Sequence, residues 1–251
     1  MKKLLLGIAA VCLAGFTFAQ DAPLWMRHSV ISPDGTTIAF TYKGDIYTVP
    51  VAGGRAMQIT TNPAYDTAPV WSPDSKRIAF ASDRMGSLDV YIVAKDGGEP
   101  RRLTTHSGSE TPLAFTDAGH VLFSAGIMPS AEAVVFPSNG QFNQVYRVSV
   151  EGGRPTMISS MPMECISINK EGAMLYQDKK GYEDYWRKHH VSPIARDIWM
   201  YTPGKEPQYR QLTTFGGEDR EPVWAPDGKT FYYLSEENGS FNIYRRTPGD
   251  A

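Results

Sequence analysis

The stretch Ala68 to Phe80, APVWSPDSKRIAF, constrains this chain more than any other, because its pattern keeps returning. Val70 and Trp71 lead into Ser72-Pro73-Asp74-Ser75, and Arg77-Ile78-Ala79-Phe80 leads out, which reads as strand, tight turn, strand. Proline pre-sets the first corner of such a turn, aspartate bonds forward to its own backbone, and a glycine in fourth place accepts the left-handed conformation. That glycine is present in Ser32-Pro33-Asp34-Gly35, ahead of Ile38-Ala39-Phe40, and in Ala225-Pro226-Asp227-Gly228, ahead of Phe231-Tyr232-Tyr233. One motif recurring at intervals of tens of residues specifies a repeat architecture.

The first unit shows four parts: His28 to Ile31, Thr37 to Thr41, Asp45 to Val49 and Ala56 to Thr60. Ile46 and Thr48 alternate with Tyr47 and Val49, the two-residue period of a pleated strand. Four short antiparallel strands per unit make a propeller blade. The second unit runs from Ala68 to Thr105; its Gly97-Gly98 follows Gly53-Gly54 by 44 residues. The third begins at Pro112, carries an insertion from Gly126 to Asn143, and regains the frame at Gly152-Gly153. The fourth begins at Cys165 and carries a second insertion from Lys179 to Arg196. The fifth supplies Pro222 to Trp224, Phe231 to Leu234 and Asn242 to Arg245, with no fourth strand before Ala251. The expected fold is all-β, a β-propeller of four-stranded blades, about five in number with the last incomplete. A flat uncovered edge is a liability, so the expectation is that this is the N-terminal portion of a longer protein.

Residues 1–19 stand apart. Lys2 and Lys3 precede an apolar run from Leu4 to Ala19, and Thr17-Phe18-Ala19 supplies a small-residue cleavage site, as in a secretory signal peptide. The domain division is therefore a signal peptide over 1–19 and a propeller segment over 20–251, exported to the periplasm or the extracellular space, with no membrane insertion after cleavage. Of 25 basic residues two fall in the leader, against 27 acidic ones, so the exported chain carries a small negative charge. That argues against nucleic acid as a partner. Outside the leader Cys165 is the one cysteine, so neither an internal disulfide nor a cysteine-based zinc site is available.

The repeat of SPDG, IAF, DIY or DVY and GG-x-x-x-LT resembles the blades of TolB-like propellers. Asn62-Pro63-Ala64-Tyr65-Asp66, the segment Gly181 to His190 and Gly216-Gly217-Glu218-Asp219-Arg220 are similar to the N-terminal propeller of bacterial tricorn-type serine peptidases. The resemblance spans the chain beyond the leader. It implies a segment without catalytic residues, whose partners are a peptide or protein substrate and C-terminal peptidase domains or other subunits, and whose role is to gate or guide peptides and support assembly. Two readings compete with it: a free-standing periplasmic protein-binding scaffold, and the gate of a prolyl-oligopeptidase-like hydrolase.

The residues themselves offer little catalytic chemistry. There is no Gly-x-Ser-x-Gly pentapeptide, and His28, His106, His120, His189 and His190 lack helical metal-pair spacing, so no metal and no cofactor is expected. Asp66, Glu110, Glu164 and Asp219 each fall shortly before a blade's first strand, in the loop that enters it, where four carboxylates from four blades are expected to form an acidic rim attracting basic groups of a substrate. Turn formation or capping is the competing role. In the second insertion Tyr185 and Trp186 are candidate interface anchors, with packing over the blade as the alternative.

Overall fold

A computed structural model describes residues 25–126, 143–180 and 191–249. The turns set its frame. Asp34 Oδ1 accepts from Ser32 Oγ at 2.6 Å and from the Thr36 N–H at 3.0 Å, while Ser32 Oγ accepts from the Thr37 N–H at 3.0 Å. Asp74 and Ser72 repeat that arrangement at 2.6 Å and 2.9 Å. Asp227 holds the Lys229 and Thr230 N–H groups. Each turn thus carries its own hydrogen-bonded clasp, which fixes the register of the strands it joins.

Five antiparallel sheets follow in chain order. The first contains β1 (Arg27–Ile31), β2 (Thr37–Tyr42), β3 (Asp45–Pro50) and β4 (Met57–Gln58). The second contains β5 (Asp66–Trp71), β6 (Arg77–Ser82), β7 (Asp89–Ala94) and β8 (Arg101–Arg102). The third is β9 (Glu110–Asp117), β10 (His120–Ala125), β11 (Gln144–Ser149) and β12 (Thr156–Ser159). The fourth is β13 (Met163–Ile168), β14 (Met174–Asp178), β15 (Ile198–Thr202) and β16 (Gln208–Gln211). The fifth has three strands, β17 (Asp219–Trp224), β18 (Phe231–Ser235) and β19 (Asn242–Arg246). The sheets succeed one another around an axis as a five-blade β-propeller, the last blade lacking a fourth strand among the described residues. Their first strands pack β1 on β5, β5 on β9, β9 on β13 and β13 on β17. β1 pairs with β2 inside its own blade, so it does not cross over to complete the last one.

Both faces of a blade are apolar, and the four cores lie between blades. Ala39, Ile46 and Ile59 of the first blade meet Trp71, Ile78, Phe80, Tyr91 and Val93 of the second. Ala79, Val90, Ile92 and Leu103 then meet Phe115, Val121, Phe123 and Tyr146 of the third. Leu122 and Val145 face Met174, Tyr176 and Tyr201, and Leu175, Ile198 and Leu212 face Phe231 and Tyr233. Polar ties cross the same gaps: Trp71 Nε1 donates to the Val30 carbonyl at 3.1 Å, and Trp224 Nε1 donates to the Ala173 carbonyl at 3.2 Å. The outward side of the fifth blade shows Val223 and Ile243 at 55% and 74% exposure, and Ile31 of the first blade is 54% exposed.

Two expectations follow. Trp71→Ala opens a cavity between the first two blades and removes the tie to Val30, at a cost of about 3–5 kcal/mol in urea unfolding; a cost near zero would mean that the indole does not fill that space. β15 is flanked on both sides and β19 on one. By hydrogen exchange the amides of β19 are therefore expected to exchange about tenfold or more faster than those of β15, and equal protection would show that the β19 edge is covered.

Candidate functional site

The register of the inner strands decides where the four predicted carboxylates go. Asp66 opens β5 opposite Ser82, Glu110 opens β9 opposite Ala125, and Asp219 opens β17 opposite Ser235. Glu164 is out of this register. Met163 takes the equivalent place, opposite Asp178, and Glu164 stands one residue on, opposite Gln177. Because strand side chains alternate, that single step turns Glu164 to the other face. The fourth blade places its acid across the ladder instead, at Asp178.

Three of the four are enclosed. Asp66 is fully buried, and Arg84 Nη2 reaches both its oxygens at 3.1 Å. Asp219 is buried, which raises its carboxyl, while the hydroxyls of Ser235 and Thr213 oppose the rise and so does the charge of Arg246. Glu110 has 0% exposure, and among the described residues neither of its oxygens has a hydrogen bond of good geometry. Burial pushes its carboxyl up to about 7 from an ordinary 4.5; the nearby Asp89 carboxyl adds to the rise, and the Thr104 hydroxyl and His106 N–H oppose it. Glu164 is partly exposed, accepts from Gln177 Nε2 at 3.1 Å and pairs with Lys179 at 3.3 Å and Arg196 at 3.4 Å. The structure therefore sets Asp66, Glu110 and Asp219 at the same place in the inner strands of the second, third and fifth blades, inside the protein, and leaves Glu164 of the fourth apart. Tyr185 and Trp186 lie outside the described residues.

Each acid belongs to a junction that the sequence pattern only hinted at. The threonine ending the LT pair, or IT in the first unit, turns its hydroxyl back on the third strand: Thr60 accepts from the Ile46 N–H at 3.0 Å, Thr104 from Val90 at 2.9 Å and Thr213 from Ile198 at 2.9 Å. Beside them stand Asp45, Asp89 and Asp197, which open the third-strand triplets DIY, DVY and DIW. Thr60 Oγ1 donates to Asp45 Oδ1 at 3.3 Å, Arg102 Nη2 lies 2.8 Å from Asp89 Oδ2, and Lys180 Nζ pairs with Asp197. The recurring aspartate and threonine were the available signal for these residues.

A second recurring feature has no such signal. His28, Ala68, Cys165 and Glu221 have φ of 50°, 52°, 52° and 55°, each at a bulge in the inner strand of its blade. The third blade has Pro112 there, which cannot adopt positive φ. Cys165 is accessible to solvent yet ringed by protein; burial pushes its thiol up to about 12, and the Glu221 and Glu164 carboxylates add to the rise. Such a thiol is a poor nucleophile.

Two cavities bear on binding. One, of about 550 Å³, lies where β1, β5, β9 and β13 converge and is lined mainly by apolar side chains, among them Val30, Ile31, Val70, Leu113 and Ile166. The other, of about 700 Å³, lies between the second and third blades and is lined by His106, Glu110, Tyr146, Arg154 and Met157 among others. Among the described residues no three histidine, cysteine, aspartate or glutamate side chains gather as a metal site.

The raised Glu110 carboxyl gives a pH signature. A folded-state value above the unfolded one means that the fold holds the proton more tightly, so this contribution is full below about 4.5 and is lost as pH rises to about 7. Glu110→Gln removes that slope and leaves the protein more stable at pH 8 than the parent by on the order of 3 kcal/mol. Parallel stability curves for the two proteins between pH 4.5 and 8 would show that Glu110 titrates normally.

Comparison with known proteins agrees with the geometry. The family model described as the Tricorn protease N-terminal beta propeller domain matches residues 23–251. Tricorn protease homolog 1 of Streptomyces coelicolor is 25% identical over 224 residues, covering 89% of this chain and 20% of that protein. An uncharacterized peptidase of Bacillus subtilis, YuxL, is 30% identical over 231 residues, covering 91% of this chain and 31% of that protein. The chain thus spans about a fifth to a third of these curated relatives. Among solved structures, the tricorn protease superposes with a TM-score of 0.70 at 18% identity, covering 90% of this chain and 22% of that one. A TolB from Agrobacterium tumefaciens gives 0.66 at 17% identity, covering 89% and 76%, and both likenesses are of fold. With a five-blade frame and a match running through every blade, the chain belongs to the tricorn protease N-terminal β-propeller family.

Proposed function

We propose that this propeller is a non-catalytic part of an exported tricorn-like serine peptidase, in which it admits or guides unfolded peptide chains and supports assembly with peptidase domains or subunits. The observation that carries the guiding role is the axial cavity. Its apolar lining, drawn from the inner strands of four blades, offers contact to the side chains of an extended polypeptide, whose apolar groups are exposed, and little to a folded protein, whose apolar groups are inside. Export rests on Lys2, Lys3 and the apolar run that follows them.

The test is binding of a fluorescent, reduced and alkylated polypeptide to the full chain, followed by anisotropy, against the same polypeptide in its folded, disulfide-intact form. Saturable binding of the unfolded form alone is expected, weakened about fivefold or more by Ile31→Asp, which puts a charge on an exposed wall of the cavity. Equal binding of both forms, or no effect of Ile31→Asp, would sink the guiding role.

A further inference from the structure

A third cavity, of about 210 Å³, lies between the third and fourth blades and is more enclosed than the other two. Leu122 and Ile158 line it from the third blade, and Met174, Tyr201 and Pro203 from the fourth. Arg147 is the one charged side chain on its wall among the described residues. The cavity sits at the turn end of these strands, beside the start of β14 and the end of β15, whereas the two insertions join β10 to β11 and β14 to β15 at the opposite end.

Two neighbouring gaps are closed at this place by an arginine. Val150, Pro203 and Pro248 each stand four residues past an aromatic of the third strand, Tyr146, Trp199 or Tyr244, and those pair in one register with Phe123, Tyr176 and Tyr233. Arg101, on the fourth strand of the second blade, donates through Nη2 to the Val150 carbonyl and pairs with Glu151 at 2.7 Å. Arg210, on the fourth strand of the fourth blade, donates to the Pro248 carbonyl. Their ladder partners, Ile92 and Met200, pack apolar side chains into the same two gaps. In the third blade the arrangement is exchanged: Thr156 takes the fourth-strand position, and its partner Arg147 takes that of Ile92 and Met200. Arg147 therefore brings a charge where its counterparts bring hydrocarbon. It is exposed, and its guanidinium has no hydrogen bond or ion pair among the described residues. Apolar walls without a side chain to fill them leave the cavity.

An apolar cavity of about 150 Å³ takes a benzene, so this one has room for a phenyl or branched alkyl group on a short stem. A guanidinium at its side forks onto a carboxylate. We propose that the cleft between the third and fourth blades binds a small carboxylic acid with one compact apolar group, its carboxylate on Arg147 and its apolar group between Leu122, Ile158 and Met174. Thr116 and Ile168 line both this cavity and the axial one, so the two adjoin. The site is distinct in Arg147 and stands whether or not the axial cavity guides peptides.

Titration of the isotope-labelled full chain with hydrocinnamate at pH 7, followed by amide chemical shifts, tests it. Saturable shifts centred on β10, β11 and β13 to β15 are expected, with the neutral hydrocinnamide bound about tenfold or more weaker and acetate, which lacks the apolar group, not bound. Arg147→Met keeps an apolar stem and drops the charge at an exposed position; it is expected to lose about tenfold in affinity for the acid and none for the amide. Ile158→Phe, checked for folding by its melting curve, fills the cavity and should abolish binding of both. Ile31→Asp should leave binding unchanged, which separates this site from the axial cavity. Equal affinity for acid and amide, or unchanged affinity for the acid in Arg147→Met, overturns the role of Arg147 and with it the proposal. Shifts that persist in folded Ile158→Phe place the ligand elsewhere and overturn the site. A peptide capped at both ends, with phenylalanine beside glutamate, that binds more tightly than hydrocinnamate would assign the cleft to a polypeptide partner and overturn the small-acid reading.

Discussion

Each blade is apolar on both faces, and the fold depends on both being covered. Ala39 and Ile46 look toward the second blade while Phe40 and Tyr47 stack with each other on the opposite face of the first. No sheet of this composition is stable alone, since it would leave one face to water; stability is a property of neighbouring pairs, accumulated blade by blade. The indoles of Trp71 and Trp224 serve this packing twice, filling the gap and donating across it to the preceding blade. The same dependence leaves Ile31 of the first blade and Val223 and Ile243 of the fifth exposed, where no neighbouring blade covers them among the described residues.

The polar junctions are a second layer laid over that packing. A carboxylate at the start of an inner strand lies too deep to be solvated, and each blade meets the resulting cost differently. Asp66 has a guanidinium, Asp219 has two hydroxyls and a more distant arginine, and Glu110 has a shifted proton affinity and a cavity beside it. The threonine hydroxyls are shared by three junctions, whereas the cations are not. Repetition therefore fixes the frame, and departures from it mark where blades differ in chemistry.

Much of the frame was legible in the sequence. The SPDG clasps, the alternation of Ile46 to Val49 and the buried position of Trp71 follow from local rules of turn and pleat. The third, fourth and fifth units also fall where the glycine pairs and DIY-like strands put them, although β9 and β13 begin two residues earlier than their motifs suggested. The direction of the acids was not legible. Proximity to a strand start says nothing about which face a side chain takes, and Glu164 shows the reason: one residue of register separates it from Met163, and only the ladder partner reveals that step. Nor does sequence show that Arg84 belongs to Asp66, eighteen residues away, because the pairing is made by the return of β6 beside β5.

The left-handed bulges make repeats that look interchangeable unequal as hosts for change. Four inner strands turn on His28, Ala68, Cys165 or Glu221, side chains with nothing in common except that none is branched at Cβ. A valine, isoleucine or threonine at those places would meet a backbone conformation it rarely adopts, whereas glycine would relax it. Pro112 escapes that restriction and carries its own fixed φ instead. A residue swapped between blades at this point is thus accepted or refused by the backbone before any neighbour is consulted, and the third blade can drift in sequence along a route closed to the other four.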